Sequence, residues 1–252
     1  HEHGKHTYRI TRHGSLNATE FHNAVGPAPM AFSMVSELPE VEQAVRFRKG
    51  GAFFVQRDGS TESTKERHVG FTDSTFFDIF PIDIIEGEIT KALSRPNTVA
   101  ISREASAKFF KGKGALGKVL VFDNDEKYEV TAVFEDMPAN SHMKFDYLLS
   151  MSSLEEAKST LWLSNNFYIY FRLQAGVNPA TFTTKLNDYY DSKIEPELQR
   201  LAGVGIKEFE SVGNFIQLNV QPLSDINLTS DYTFDIGKTG NLQTVYLFIA
   251  IA

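Results

Sequence analysis

The spacing of apolar positions changes several times along the chain, and each change predicts an element. Residues 8–13 alternate and predict a strand, whereas residues 14–25 are polar and predict a loop. Pro27-Ala28-Pro29 opens a helix to about Leu38, with Met30, Met34, Val35 and Leu38 as its apolar stripe and Pro39 as its stop. Residues 41–48 predict a second strand, Gly50-Gly51 a turn, and residues 52–57 a third strand. Asp58-Gly59 marks a hairpin whose partner strand covers residues 62–69. Asp73 or Ser74 is then expected to cap a short Phe-rich helix over residues 75–80. An extended stretch over 81–88 follows, then a helical turn to Leu93 and a strand over 98–101. Ser102 is placed to cap a helix reaching Phe110, with Ala105 and Phe109 on one face.

After a glycine-rich loop (Gly112, Gly114, Gly117), residues 119–122 and 127–134 predict strands joined at Asp123-Asn124-Asp125. A loop over 138–142 leads to a strand over 145–150, a helix over 154–162 and an aromatic-rich strand over 167–173. Asn178-Pro179 opens a helix with Phe182, Leu186, Tyr189 and Tyr190 on one face; Pro196 punctuates it, and a second piece ends near Ala202-Gly203. Residues 215–220 predict a strand and 223–228 a short extended piece. The order is β-α-β, a strand-rich middle, then β-α-β. It predicts an α+β fold in which residues 1–67 and 146–241 form a split layer and residues 68–145 an insertion.

A length of 252 residues allows one large domain or two small ones. A hydrophobic share of 42% and a charged share of 23% are those of an ordinary globular protein. The net charge of −7 argues against a nucleic-acid partner. The absence of cysteine excludes thiol catalysis, Cys-ligated zinc, iron–sulfur clusters and disulfides. Residues 1–6 are polar and do not read as a signal peptide. Residues 242–252 are nearly all apolar but shorter than the ~20 residues of a membrane span, and are expected to begin a truncated transmembrane helix.

Candidate chemistry is sparse. Gly112 to Val119 approaches the phosphate-binding P-loop, but Val119 stands where Ser or Thr would hold magnesium, and the loop runs from helix to strand rather than strand to helix. His1, His3 and His6 have no nearby carboxylate, and His13, His22, His68 and His142 make no metal-binding helical pair. There is no Gly-x-Ser-x-Gly elbow, and the acidic turn at Asp123, Asp125 and Glu126 lacks the calcium-loop pattern. Asn17-Ala18-Thr19 and Asn227-Leu228-Thr229 match the short glycosylation sequon. With 32 carboxylates, a hydrolytic pair brought together by folding stays open, and so does a soluble envelope enzyme or solute-binding domain with a concave pocket.

Several segments, taken in order, resemble one family. They are the opening His1 to Ile10, Pro27-Ala28-Pro29-Met30 with Leu38 to Glu42, and Asp73 to Phe80. Next come Glu86-Gly87 with Ala92 to Asn97, Ser102 to Phe110, and Leu116 to Leu120. Last are Asp136 to His142 with Phe145-Asp146, and Gln221 to Ile226. Together they are similar to the extracytoplasmic domain of MacB/FtsX-like ABC transporter permeases, in the form common among Bacteroidetes-type bacteria. Asn227 departs from the family, which commonly has His there.

The resemblance implies a MacB-like periplasmic core domain with a split, membrane-proximal (porter-like) β-α-β subdomain and an inserted strand-rich (sabre-like) subdomain. It implies a non-catalytic segment of an inner membrane protein, held in the periplasm, that transmits conformational change or engages cargo. The implied partners are a cytoplasmic ATP-binding subunit reached through the rest of the permease, a second permease in a dimer, and an envelope partner or a peptide, lipoprotein or drug cargo. No cofactor, catalytic residue or metal ligand is expected. The loop Asn140-Ser141-His142 and the helix bearing Phe76, Phe77 and Phe80 are the segments to inspect as surfaces, against the plainer expectation of a capped turn and core packing.

Overall fold

The computed structural model describes residues 6–111, 114–123, 125–138, 141, 143–226, 232 and 235. Its elements are β1 (Thr7–Leu16), β2 (Thr19–Asn23), β3 (Gly26–Pro27), α1 (Met30–Glu37), β4 (Val41–Arg57), β5 (Thr64–Thr72), α2 (Phe76–Ile79), β6 (Ile84–Gly87) and β7 (Thr98–Ser102). They continue with α3 (Arg103–Phe110), β8 (Val119–Phe122), β9 (Glu126–Phe134), β10 (Tyr147–Ser150), β11 (Asn165–Leu173), α4 (Pro179–Ala202), α5 (Ile206–Ser211) and β12 (Phe215–Pro222). The strands join one mixed sheet in the order β12-β1-β11-β4-β5-β10-β7-β9-β6, with β2 on β1, β3 on β11 and β8 bridging β4 and β9. The β5–β10 and β7–β9 pairs are parallel.

Both faces of this sheet are covered. On β11, Phe167, Ile169 and Phe171 enter the core that contains α1, α3 and α4. Tyr168 and Tyr170 point into the other core, which contains α2. Alternation of side chains across a strand puts successive residues on opposite faces, so a strand buried on both sides reads as an unbroken apolar run.

β4 differs most from the sequence expectation. Gly50-Gly51 is not a turn between two strands; one strand runs through it. The register against β5 shifts between Lys49 and Gly51 and again between Gly51 and Phe53, and Gly51 has φ +93°. These are bulges, and the left-handed backbone explains a glycine there. The first half of β4 pairs with β11 and its end pairs with β8, while β5 pairs with its middle, from Phe47 to Val55.

Four further expectations are corrected. Residues 14–25 are not a loop: β1 continues to Leu16 and turns into β2. Residues 154–162 form no α-helix, only a 3₁₀ turn over Glu155–Lys158. The Ala157 carbonyl there accepts from Arg46, and the Trp162 and Leu163 amides are taken by Glu197, so these groups are spent on tertiary partners. Pro196 does not divide α4. An interior proline costs about 3 kcal/mol, and here Ile194, Glu197 and Leu198 are all buried beside it and hold the helix down. Of residues 223–228, Leu223–Asp225 is a 3₁₀ turn rather than extended.

Other expectations hold. The Asn178 side chain accepts from the Ala180 and Thr181 amides, and α4 ends at Gly203 with φ +72°. The Ser102 side chain caps α3 by accepting from the Ala105 amide.

Gly70 lies where β5 crosses the buried Phe47 ring: an added Cβ would sit 2.2 Å from that ring. Phe47 is itself held against Phe145, with ring centroids 4.3 Å apart. Gly70→Ala is expected to destabilise the fold by about 1–3 kcal/mol, as overpacking does. A urea titration would read this as a lower midpoint at unchanged m-value.

Candidate functional site

The first and last described strands are neighbours. β1 and β12 pair antiparallel from Tyr8–Pro222 to Ser15–Phe215. The chain therefore enters and leaves the sheet at the same end of one strand pair. Arg9 is the third residue of β1 and is fully buried. Its Nε donates to Gln221 Oε1 at 2.7 Å, and its two terminal nitrogens donate to the Asp235 carboxylate at 2.8 and 3.1 Å. The Tyr232 ring packs 5.2 Å from the guanidinium. Burial pulls the Arg9 pKa down, and the Asp235 hydrogen bond together with the fields of Tyr170, Asp235 and Tyr232 more than offset it, leaving it raised. A two-pronged pairing of this kind is geometrically specific as well as strong. Arg9 thus ties the entering strand to the segment that follows β12.

A second buried ion pair sits on β4. The Arg46 side chain donates from Nε and Nη2 to the Asp73 carboxylate at 3.1 and 2.9 Å, and its backbone amide donates to the same carboxylate at 2.8 Å. Its Nη1 donates to the carbonyls of Ala28 and Ala157 at 2.9 and 2.8 Å. Phe32 and Phe167 lie 4.6 and 5.6 Å from the guanidinium. Asp73 or Ser74 was expected to cap α2, and neither does. The N-cap is Thr75, whose side chain makes no capping bond and donates instead to the Ala44 carbonyl.

Two of the clefts on the described surface bear on a ligand site. One, of about 320 Å³, is lined by Phe32, Arg46, Asp73, Ser94, Ser152 and Lys158 among others. Its two buried charged groups face each other, so they are spent before any ligand arrives. The other, of about 510 Å³, is lined by Arg57, Asp58, Gly117 and Lys118 among others, and contains the part of the P-loop look-alike that is described. The Gly117 amide donates to the Val130 carbonyl and the Lys118 amide to Ala115, so neither is free to cradle phosphate. Lys118 leads into a strand, without the helix N-terminus that phosphate binding uses. Two carboxyls have shifted pKa values. Glu40 is lowered, first by its hydrogen bond to Lys185; Asp191 is raised, first by burial and then by Glu210, Asp188 and Glu195. Neither lines these clefts.

Phe76, Phe77 and Phe80 are buried: Phe76 contacts both neighbours edge-on or tilted, and Phe80 meets Tyr170 at 5.2 Å. They are core, not a docking surface. Of the loop Asn140-Ser141-His142 only Ser141 is described; its side chain accepts from the Met143 amide in a turn. His1, His3, Asn140, His142, Asn227 and residues 242–252 lie outside the described residues. Among the described residues no helix is long and apolar enough to cross a membrane. His68 sits 2.9 Å from Asp146. His13 and His22, read from the sequence as unrelated, stack across the β1–β2 hairpin with ring centroids 4.1 Å apart, next to Glu20. These three could hold a metal ion. Residues 19–23 carry one apolar side chain, Phe21, and so give no strand alternation from which the pairing could be read.

Residues 1–189 match the family model described as MacB-like periplasmic core domain. The chain is similar to a solved domain described as belonging to a permease of Porphyromonas gingivalis, at TM-score 0.70 and 23% identity, covering 87% of this chain and 90% of that one. It is similar to the periplasmic region of MacB from Actinobacillus actinomycetemcomitans, at TM-score 0.58 and 14% identity, covering 90% and 95%. The extracellular domain of the noncanonic ABC-type transporter YknZ from Gram-positive bacteria aligns at TM-score 0.50 and 14% identity, covering 85% and 99%. At these identities the likeness is one of fold. No curated protein matches the chain.

Removing one member of a buried pair leaves the other charge uncompensated, which costs about 3–5 kcal/mol. Asp73→Ala is expected to lose stability in that range. The double variant Arg46→Met, Asp73→Ala is expected to lose less than the sum of the two single changes. Equilibrium denaturation of the three variants would measure the coupling.

Proposed function

The chain belongs to the family of MacB-like periplasmic core domains, and on that premise we propose that it is the non-catalytic part of an ABC transporter permease that carries conformational change between the membrane and the envelope. The observation that carries this reading is the pairing of β1 with β12, fastened by Arg9 to Gln221 and Asp235. A domain suspended between two membrane helices must receive both of them at one edge. Adjacent antiparallel strands, entered and left at the same end, meet that requirement. The apolar run at residues 242–252 follows the exit segment in sequence.

On this reading the segment lies in the periplasm and the whole permease in the inner membrane. A cytoplasmic ATP-binding subunit supplies the energy, and a second permease copy completes the assembly. Residues 1–67 and 146–241 form the membrane-proximal unit, and residues 68–145 the outer one. The strand order favours this division, because β12, β1, β11 and β4 lie toward one end of the sheet and β7, β9 and β6 at the other. Cargo, whether peptide, lipoprotein or drug, would be engaged by surfaces, since the buried charges of the cleft at Arg46 are already paired with each other.

The chain has no cysteine, which permits single-site labelling. A Thr61→Cys label, exposed beyond the end of β4, would be placed in the full-length permease reconstituted with its ATP-binding subunit. ATP is expected to change the label's emission there, and to do nothing to the labelled domain alone. Asp235→Ala is expected to abolish the response while ATP hydrolysis continues. A label silent to nucleotide in the assembled permease, or micromolar ATP binding by the isolated domain, would sink the reading.

A further inference from the structure

The β1–β2 hairpin sets two imidazoles and a carboxylate on one face. His13 and His22 are directly opposed across the strands, and their rings stack at 4.1 Å with 16° between planes. Glu20 is two residues from His22, so the period of a strand puts it on the same side. The potential ligand atoms of His13, Glu20 and His22 all lie within 4.8 Å of one another. His13 Nε2 is buried without a hydrogen-bond partner. The His13 ring is held edge-on by Phe215, centroid to centroid 5.1 Å. Glu20 and His22 are exposed and, among the described residues, form no ion pair.

We propose that His13, Glu20 and His22 form a binding site for a divalent transition-metal cation of the zinc class. Two imidazole nitrogens and one carboxylate oxygen are a donor set that such cations take, leaving a fourth position for water or a partner's side chain. The ligand atoms of a tetrahedral zinc stand about 3.3 Å apart, which follows from metal–ligand distances of about 2.0–2.1 Å. From within 4.8 Å, the three side chains would close to that spacing chiefly by rotation of the exposed Glu20 and His22, with the hairpin backbone already pairing them. The turn joining β1 to β2 has two central residues, Asn17 and Ala18, at φ 50° and 63°. That left-handed pair matches the two-residue turn that suits the twist of a hairpin. Asn214 Oδ1 accepts from the Asn17 amide at 2.8 Å and anchors the tip to the chain before β12. The orphaned nitrogen of His13 also gains a partner on metal binding, which removes the penalty of a buried unsatisfied polar atom. The bound cation would cross-link β2 to β1 on the strand that leads from the membrane in the proposed assembly, but the site does not depend on that assembly.

Calorimetric titration of the chain with Zn²⁺ tests this, alongside thermal unfolding with and without the cation. Because His1, His3 and His6 offer competing imidazoles, the chain carrying His1→Ala, His3→Ala and His6→Ala is titrated as well. One site is expected to survive in that variant and to raise its melting temperature. His22→Ala on this background is expected to weaken binding at least tenfold and to abolish the thermal shift. Glu20→Gln, an exposed change with no ion pair to lose, is expected to weaken binding without altering the metal-free melting temperature. Co²⁺ in place of Zn²⁺ is expected to show the intense visible bands of a tetrahedral centre. Binding that disappears when His1, His3 and His6 are replaced, or that persists unchanged in His22→Ala and Glu20→Gln, would overturn the proposal.

Discussion

The buried pair of Arg46 and Asp73 sits where the two halves of the sheet are joined. β4 serves β11 with its first half and β8 with its end, and among the described residues no other strand reaches both. Burying two charges costs several kcal/mol per ion unless their hydrogen-bonding capacity is filled. Here the carboxylate takes two side-chain donors and a backbone amide, and the remaining guanidinium nitrogen takes two carbonyls. Those carbonyls come from the segment before α1 and from the 3₁₀ turn after β10. One side chain therefore locates three parts of the chain relative to β4. Its requirements explain two local departures from propensity: Asp73 is drawn off α2, and Ala157 is drawn out of any continuing helix.

Around that centre the sheet is closed on both faces by aromatic packing. The chain has 21 phenylalanines against one tryptophan, and the structure uses them as contacts across and between strands. Phe47 meets Phe145 and Tyr168, Phe80 meets Tyr170, and Phe122 meets Phe53, Tyr128 and Tyr147. Ring pairs at these separations add about 0.5–1.5 kcal/mol beyond the area they bury. A sheet packed this way is a stiff plate, because dense interiors transmit displacement rather than absorb it.

Stiffness suits the proposed role. Load applied through adjacent antiparallel strands at one end reaches their hydrogen bonds in succession, beginning at the fork. Arg9 stands at that fork, bridging β1 to Gln221 of β12 and to Asp235 beyond it. A buried, two-pronged ion pair there resists the first separation, where a surface pair worth ~0–1 kcal/mol would not. On the β1–β2 hairpin, His13 is four residues beyond Arg9, about 13 Å at the rise of a strand.

Local sequence determined the elements whose signals are local. The Asn178-Pro179 start of α4, the Ser102 cap of α3, the Asp58-Gly59 turn and the aromatic run of β11 were legible because caps, turns and periodicity act over a few residues. The ordered motifs of the family were legible for the same reason, and with them the fold class. Tertiary structure decided what depends on distant partners. Gly50-Gly51 became a bulge rather than a turn because β5 and β8 wait on the far side. Pro196 stayed inside a helix because Glu197 and its apolar neighbours fasten both sides of it. Asp73 found Arg46 across 27 residues and Arg9 found Asp235 across 226, separations at which no spacing rule operates. His13 and His22 met only because residues 19–23, too polar to announce a strand, pair with one. Burial and strand pairing between remote segments are many-body choices, and a linear pattern records only the local share of them.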